Sequence, residues 1–301
     1  MTTASASHPA ARPFGPVGLV AIGLICQEVG ASFAVLLFPS VGVIGMVSLR
    51  LAFSAIVLLA VARPRLRGHS RNDWLTVIAF GITLALLNAL FYGALARVPL
   101  GATITIEVLG PLVLSVVISR RASSWLWAVL ALSGVVILSQ GSFGELDPVG
   151  VAFAFGAAAM WAGYILLSAR TGARFPRLDG LALAMTVGAV ITVPFGIASA
   201  GPVIFRPNIL LLGAAVALLS STIPYTLELI ALRRLPSATF SILMSLSPAI
   251  ATTAGFLILG QKFTGVAFVA IGLVIAASIG AVLSASRAAR PGETGLGEPL
   301  A

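Results

Sequence analysis

The chain has 301 residues, of which 59% are apolar and only 9% charged, and its mean hydropathy is +1.09. A soluble domain carries roughly 25% charged residues, so a water-facing globule is excluded, and the high hydrophobicity excludes a disordered chain. The net charge of +9 would suit a polyanionic ligand, but where the charges sit argues against that.

A helix that crosses a bilayer needs about 20 mostly apolar residues. In chain order the sequence predicts ten such runs, at roughly 16–38, 42–62, 74–95, 99–119, 124–140, 148–169, 180–200, 208–232, 237–258 and 263–285. The connectors carry helix breakers at Phe38-Pro39, Arg63-Pro64, Asp147-Pro148, Phe175-Pro176 and Arg206-Pro207. The segments 1–15 and 286–301 are rich in Ala, Ser, Gly and Pro and read as disordered tails. The first apolar run contains Glu28 and nine more follow it, so it reads as a span and not as a cleaved leader.

The basic residues orient these spans. With the N-terminus inside, the inner segments hold 14 of the 18 basic residues and the outer segments 3, with Arg50 inside a span. Such an excess is the positive-inside pattern and predicts an N-in, C-in topology. The arginines are spread over short loops with no binding module around them, so no nucleic-acid partner is expected. The partners expected are the lipid bilayer, a small molecule and protons.

The chain also repeats. Ala94-Leu95-Ala96-Arg97-Val98-Pro99 matches Ala231-Leu232-Arg233-Arg234-Leu235-Pro236 at a shift of 137 residues, and the same shift carries Pro111 onto Pro248. The sequence therefore divides into a five-helix unit at 16–140 and a second at 148–285. Five spans per unit make the second enter from the opposite side, so the fold class expected is an all-α integral membrane protein of two inverted five-helix repeats. That architecture places a substrate between the halves near the midplane.

The polar residues inside the spans nominate the site. Glu28, Arg50, Glu107 and Glu228 fall within predicted helices, where an ionised group near the bilayer centre costs at least roughly 2.5–3.5 kcal/mol. Glu107 precedes Pro111 by one turn and shares its face. It is the leading candidate for a coupling proton or a substrate ammonium, against the plainer reading of a neutral carboxyl that bonds a neighbouring helix. Arg50 and Glu28 lie on adjacent spans. They either pair as a structural couple or hold a substrate carboxylate on Arg50. Glu228 is near the inner end of its span, with Tyr225 on the same face. Asn88 with Tyr92, and Trp161 with Tyr164, share helix faces as further lining candidates, although aromatics in spans are often packing residues. Pro111, Pro224 and Pro248 each free a carbonyl four residues earlier, those of Glu107, Ser220 and Met244, and read either as packing kinks or as kinks that line a cavity. Gly272, Ala276 and Gly280 form a small-residue stripe suited to helix packing. Cys26 is the single cysteine, so no thiolate metal cluster is expected. No HExxH or Gly-rich phosphate loop occurs, so neither a metal nor another cofactor nor an enzyme activity is expected.

Several stretches resemble a known family. They are Gly30-Ala31-Ser32 leading to Leu37-Phe38-Pro39, Leu49-Arg50-Leu51, Val98-Pro99-Leu100-Gly101, Glu107 followed by Gly110-Pro111, and Ser119-Arg120-Arg121. The longest is Pro224-Tyr225-x-Leu227-Glu228-x-Ile230-Ala231-Leu232, ending at Arg234-Leu235-Pro236. Together they resemble the drug/metabolite transporter superfamily, built of EamA-type units, and within it the threonine/homoserine exporter group of bacterial inner membranes. The resemblance implies a multi-pass protein of the cytoplasmic membrane that exports small amino acids or related metabolites on the proton gradient. A transporter of other metabolites or drugs, or a passive facilitator, would share the fold. Two positions depart from the pattern. Ser247 stands where the group often has Glu before the proline of span nine, and Leu259-Gly260-Gln261 replaces the usual Leu-Gly-Glu.

Overall fold

A computed structural model describes residues 15–119, 122–139, 146–232 and 243–288. Both tails, Arg120, Arg121, Arg233, Arg234, Pro236 and Arg290 lie outside them. All regular structure among the described residues is helical. The helices are α1 (Pro16–Ala62), α2 (Arg71–Leu95), α3 (Leu100–Glu107), α4 (Leu109–Ser119), α5 (Ala122–Ser139) and α6 (Pro148–Arg174). They continue with α7 (Asp179–Ala200), α8 (Pro207–Ala217), α9 (Ile223–Leu232), α10 (Ser247–Leu259) and α11 (Gly265–Ala288). Among the described residues, six helical stretches suit a membrane crossing by length and composition, and three shorter apolar helices accompany them.

The ends follow local chemistry. Ser70 caps α2, with its Oγ accepting from the Asp73 amide and the Asp73 carboxylate accepting from the Ser70 amide, a reciprocal cap that starts α2 before the apolar run. Pro148 and Pro207 sit in the first turns of α6 and α8, where a missing N–H leaves no bond unmade. Asp147 caps α6 and accepts from Arg97 Nη1 at 2.7 Å. That bond holds the Asp147 carboxyl below its ordinary range.

Helix α1 is two arms joined at Gly42, which has φ 70° and ψ 172°. Pro39 sits inside the helix instead of ending it, and the turn falls three residues later. The two arms reach one place. A Cβ on Gly30 would touch Ser220, and Arg50 donates to the Ser220 carbonyl. Along an unbroken helix, positions 30 and 50 would be about 30 Å apart, so the chain turns back at Gly42. The first arm runs antiparallel to α8 and α9, with Gly23 against Pro224 and Gly30 against Ser220. The second arm runs antiparallel to α7, with Gly45 against Ala200, Gly196 against Ser48 and Gly188 near Leu51.

The remaining helices pair in the same manner. α2 lies along α6 and α7, α3 crosses α10 and α5 packs on α11. Glycines set the close approaches. A Cβ on Gly81 would meet the Ala184 carbonyl, and one on Gly101 would meet Thr252. Of the small-residue stripe on α11, only Gly280 makes such a contact, under the Trp127 ring of α5, while Gly272 and Ala276 are exposed. The buried face of α11 is instead Ala270, Val274, Ala277 and Ala281. Large apolar side chains cover the outside, among them Leu126, Val190, Phe195, Leu211 and Leu257. The polar residues Glu28, Ser48, Arg50, Asn88, Glu107, Ser220 and Ser221 are inside.

Helices also break at matched places. Val108 interrupts the run between α3 and α4, and Ser245 and Leu246 interrupt the run into α10. Val108 and Ser245 are related by the shift that relates Pro111 to Pro248.

Gly42 gives a clean test of the turn. Its dihedrals are a Gly-only combination worth about 1–3 kcal/mol to any other residue, and nothing lies within 4 Å of a Cβ built there. Gly42→Ala should therefore lower the unfolding temperature in detergent, measured by tryptophan fluorescence. Gly172→Ala, in helical α6 and equally free of neighbours, should leave it unchanged or raise it.

Candidate functional site

Arg50, on the second arm of α1, is 7% exposed, and a guanidinium cannot shed its charge. Its surroundings answer that demand. Nε donates to Ser221 Oγ at 2.9 Å, Nη1 to Tyr92 Oη at 3.1 Å and Nη2 to the Ser220 carbonyl at 2.9 Å. The Ser220 carbonyl is the one that Pro224 cannot bond. The backbone there widens into a π turn over Leu218–Thr222, which leaves this carbonyl free to face Arg50. Tyr92 is fully buried and held by the Phe38 and Phe91 rings, at 5.5 and 5.6 Å between centroids.

These side chains border a cavity of about 80 Å³ lined by Gln27, Arg50, Asn88, Glu107, Trp161, Tyr164, Tyr225, Glu228 and Met244, together with Ala31, Leu87 and Phe91. That is room for a few waters or a small solute. Glu107 is 7% exposed and ends α3 at the break before Val108. Asn88 donates to the Leu84 carbonyl, which leaves its amide oxygen for the cavity. The Tyr164 and Tyr225 rings stack at 6.3 Å. One cation, two carboxyls and an aromatic wall thus face one space.

Seven of the sequence candidates line this cavity: Arg50, Glu107, Glu228, Asn88, Trp161, Tyr164 and Tyr225. Tyr92 reaches it only through Arg50. Glu28 is fully buried and turned toward α10, where Ser247 Oγ donates to its Oε1 at 3.4 Å. Among the described residues no ion pair joins Glu28 to Arg50, and the backbone carbonyl and hydroxyls supply what a pair would have supplied. Pro111 lines a second, adjoining cavity, while Pro224 and Pro248 are buried and absent from the described lining of either. Gln261 accepts from the Leu100 amide at 3.2 Å and so caps α3. Sequence reasoning did not single out Ser221 or Gln27. The polar run Ser220-Ser221-Thr222 inside an apolar span was the available signal.

A family model described as the EamA-like transporter family matches residues 148–283. The threonine/homoserine exporter RhtA of Salmonella typhimurium is 39% identical over 90% of this chain and 92% of its own length. The Escherichia coli K12 exporter of the same name is 38% identical over 89% and 92%. The chain belongs to the EamA-type transporters. Within them it groups with the threonine/homoserine exporters, and it is a multi-pass membrane transporter. A Bacillus subtilis protein named uncharacterized transporter YvbV is 28% identical over 49% of this chain and 52% of its own length. A solved crystal structure shares the fold, with a TM-score of 0.64 at 20% identity over 90% of this chain and 98% of that one.

In this transporter the Arg50 cradle is open to test without any substrate. Ser221→Ala and Tyr92→Phe each leave a buried guanidinium N–H unpaired, at about 1–3 kcal/mol. Each should lower the unfolding temperature of the purified protein. Tyr225→Phe, whose hydroxyl bonds none of the Arg50 nitrogens, should not.

Proposed function

We propose that this protein is a secondary transporter that exports small amino acids of the threonine/homoserine kind across the bacterial cytoplasmic membrane in exchange for protons. The chain crosses the membrane ten times, as two inverted five-helix repeats at 16–140 and 148–285, with both termini inside. The helix pairing supports that division: the first arm of α1 lies on α8 and α9 as α6 lies on α2, and the helix breaks fall at matched positions. The 14-to-3 distribution of basic residues supports the orientation.

The observation that carries the substrate reading is Arg50 facing Glu107 across one cavity. A guanidinium has five N–H donors. Three are engaged by Ser221, Tyr92 and Ser220, and one N–H remains on each of Nη1 and Nη2, a fork that fits a carboxylate. The ammonium of the same zwitterion lies against Glu107, with the aromatic faces of Trp161 and Tyr164 beside it. Glu107 holds either the ammonium or a proton. That exclusion exchanges one for the other as the two repeats rock about the site.

The test is efflux of labelled threonine and homoserine from preloaded cells, with and without expression and with a protonophore. Protein-dependent efflux that the protonophore stops is expected. Glu107→Gln should reduce it by ten- to a hundredfold, in line with the loss of one charge-assisted bond, and remove its dependence on external pH. Efflux by the variant at the original rate and pH profile overturns the role given to Glu107.

A further inference from the structure

The central cavity has a larger neighbour of about 380 Å³. Trp161, Tyr164, Glu228 and Met244 border both, so these four side chains form the partition between them. Beyond the partition the walls include Ile165 and Ser168 of α6 and Ala281 and Val282 of α11. Ile165 and Ser168 are on the Arg174 side of Trp161, and Ala281 and Val282 are near the C-terminal end of α11. With both termini inside, these are the cytoplasmic ends of their spans. The chamber therefore lies between the central cavity and the cytoplasm.

Two buried polar atoms border this chamber without a hydrogen-bond partner, Ser278 Oγ and Glu228 Oε1. Buried polar groups are normally satisfied by protein or by water, and the chamber has room for a chain of waters. Of the partition side chains, Trp161 and Met244 do not ionise, and a tyrosine gives up its proton only near pH 10. Glu228 is the one whose carboxyl can both take a proton and release it. The ionisable groups that face it are Glu107 and Arg50 across the central cavity, Tyr164 from α6 and Tyr225 one turn earlier on α9. On the first arm of α1, which packs against α9, Cys26 and Glu28 line neither cavity. Among the described residues no ion pair forms on Glu228.

We propose that Glu228 is the inner proton station of the transporter: it takes the proton that Glu107 releases and passes it to the waters of the cytoplasmic chamber. The inference rests on the proton exchange at Glu107 and on the orientation given above. Protonated Glu107 gives its proton through cavity water to the Glu228 carboxylate. Glu107 is then an anion, ready for the ammonium of a substrate from the cytoplasm, and Glu228 is a neutral acid. Glu228 next yields the same proton to chamber water and returns to an anion. One proton enters the cytoplasm for each Glu107 set free, and no other bond changes. Without a carboxyl at the partition, the proton would have to pass Trp161 and Met244 as a hydrated charge, at the desolvation cost of a buried ion.

The experiment uses the purified full-length protein in liposomes loaded with labelled threonine or homoserine. Two rates are read. Exchange against unlabelled substrate at equal pH on both sides needs no proton transfer, whereas net efflux driven by an imposed pH gradient does. A positioned proton-transfer group contributes about 10²–10⁴-fold, and cavity water takes over part of that task. For Glu228→Gln the ratio of net efflux to exchange should therefore fall at least about tenfold, with the KM of exchange unchanged. Glu228→Asp, which keeps a carboxyl, should restore most of the ratio. If the glutamine variant does not reconstitute, Glu228→Ala carries the same test. An unchanged ratio overturns the proposal and leaves the proposed function standing. So does a raised KM for exchange, which would make Glu228 a substrate contact. Wild-type exchange without any efflux driven by the pH gradient overturns the proton coupling in the proposed function, and this inference with it. Wild-type protein that transports neither amino acid overturns the proposed function altogether.

Discussion

A permanent positive charge buried among helices is the constraint around which this protein is arranged. Arg50 cannot be neutralised, so every unmade bond on its guanidinium would be expensive. The structure meets the demand with the backbone. Pro224 removes an amide, the helix widens into a π turn, and the carbonyl of Ser220 turns to the guanidinium. For this to work α8 and α9 must come close to the first arm of α1, and Gly30 allows it: a Cβ there would lie 2.8 Å from the Ser220 amide nitrogen. A single ionic group thus fixes a proline, a glycine, two serines and a tyrosine on four segments of chain.

The same economy shapes the cavities. Glu107 and Glu228 face space, whereas Glu28 faces Ser247. The two departures from the family pattern have structural readings in these contacts. A carboxylate at position 247 would set two like charges together in a buried place. Ser247 instead donates to Glu28. The amide of Gln261 caps the start of α3, a task a carboxylate would also do at a helix N-terminus, so the change from Glu keeps the cap and drops its charge.

Much of the fold was legible because membrane helices announce themselves. About 20 apolar residues are needed per crossing, and breakers such as Asp147-Pro148 and Arg206-Pro207 stand where helices start in the structure. The polar and aromatic candidates inside apolar runs were equally visible, and seven of them line one cavity. Misreadings came where a local rule met a distant neighbour. The break expected at Pro39 falls three residues on, at Gly42, whose dihedrals are closed to other residues. The stripe at Gly272 and Ala276 is exposed because the partner helix α5 lies over the neighbouring face of α11, at Val274 and Gly280.

The sequence by itself determined that the chain is helical and membrane-embedded, which residues are too polar for lipid, and which carbonyls the prolines set free. These follow from transfer energies and backbone geometry, which are properties of single residues and short windows. Only the tertiary structure decided which partner each buried group found. Arg50 takes Ser220, Ser221 and Tyr92, positions 42 to 171 residues away in the chain, and leaves Glu28 to Ser247. A buried charge requires only that some partner satisfy it, and several candidates existed. Which one arrives depends on the helix contacts that the small residues permit.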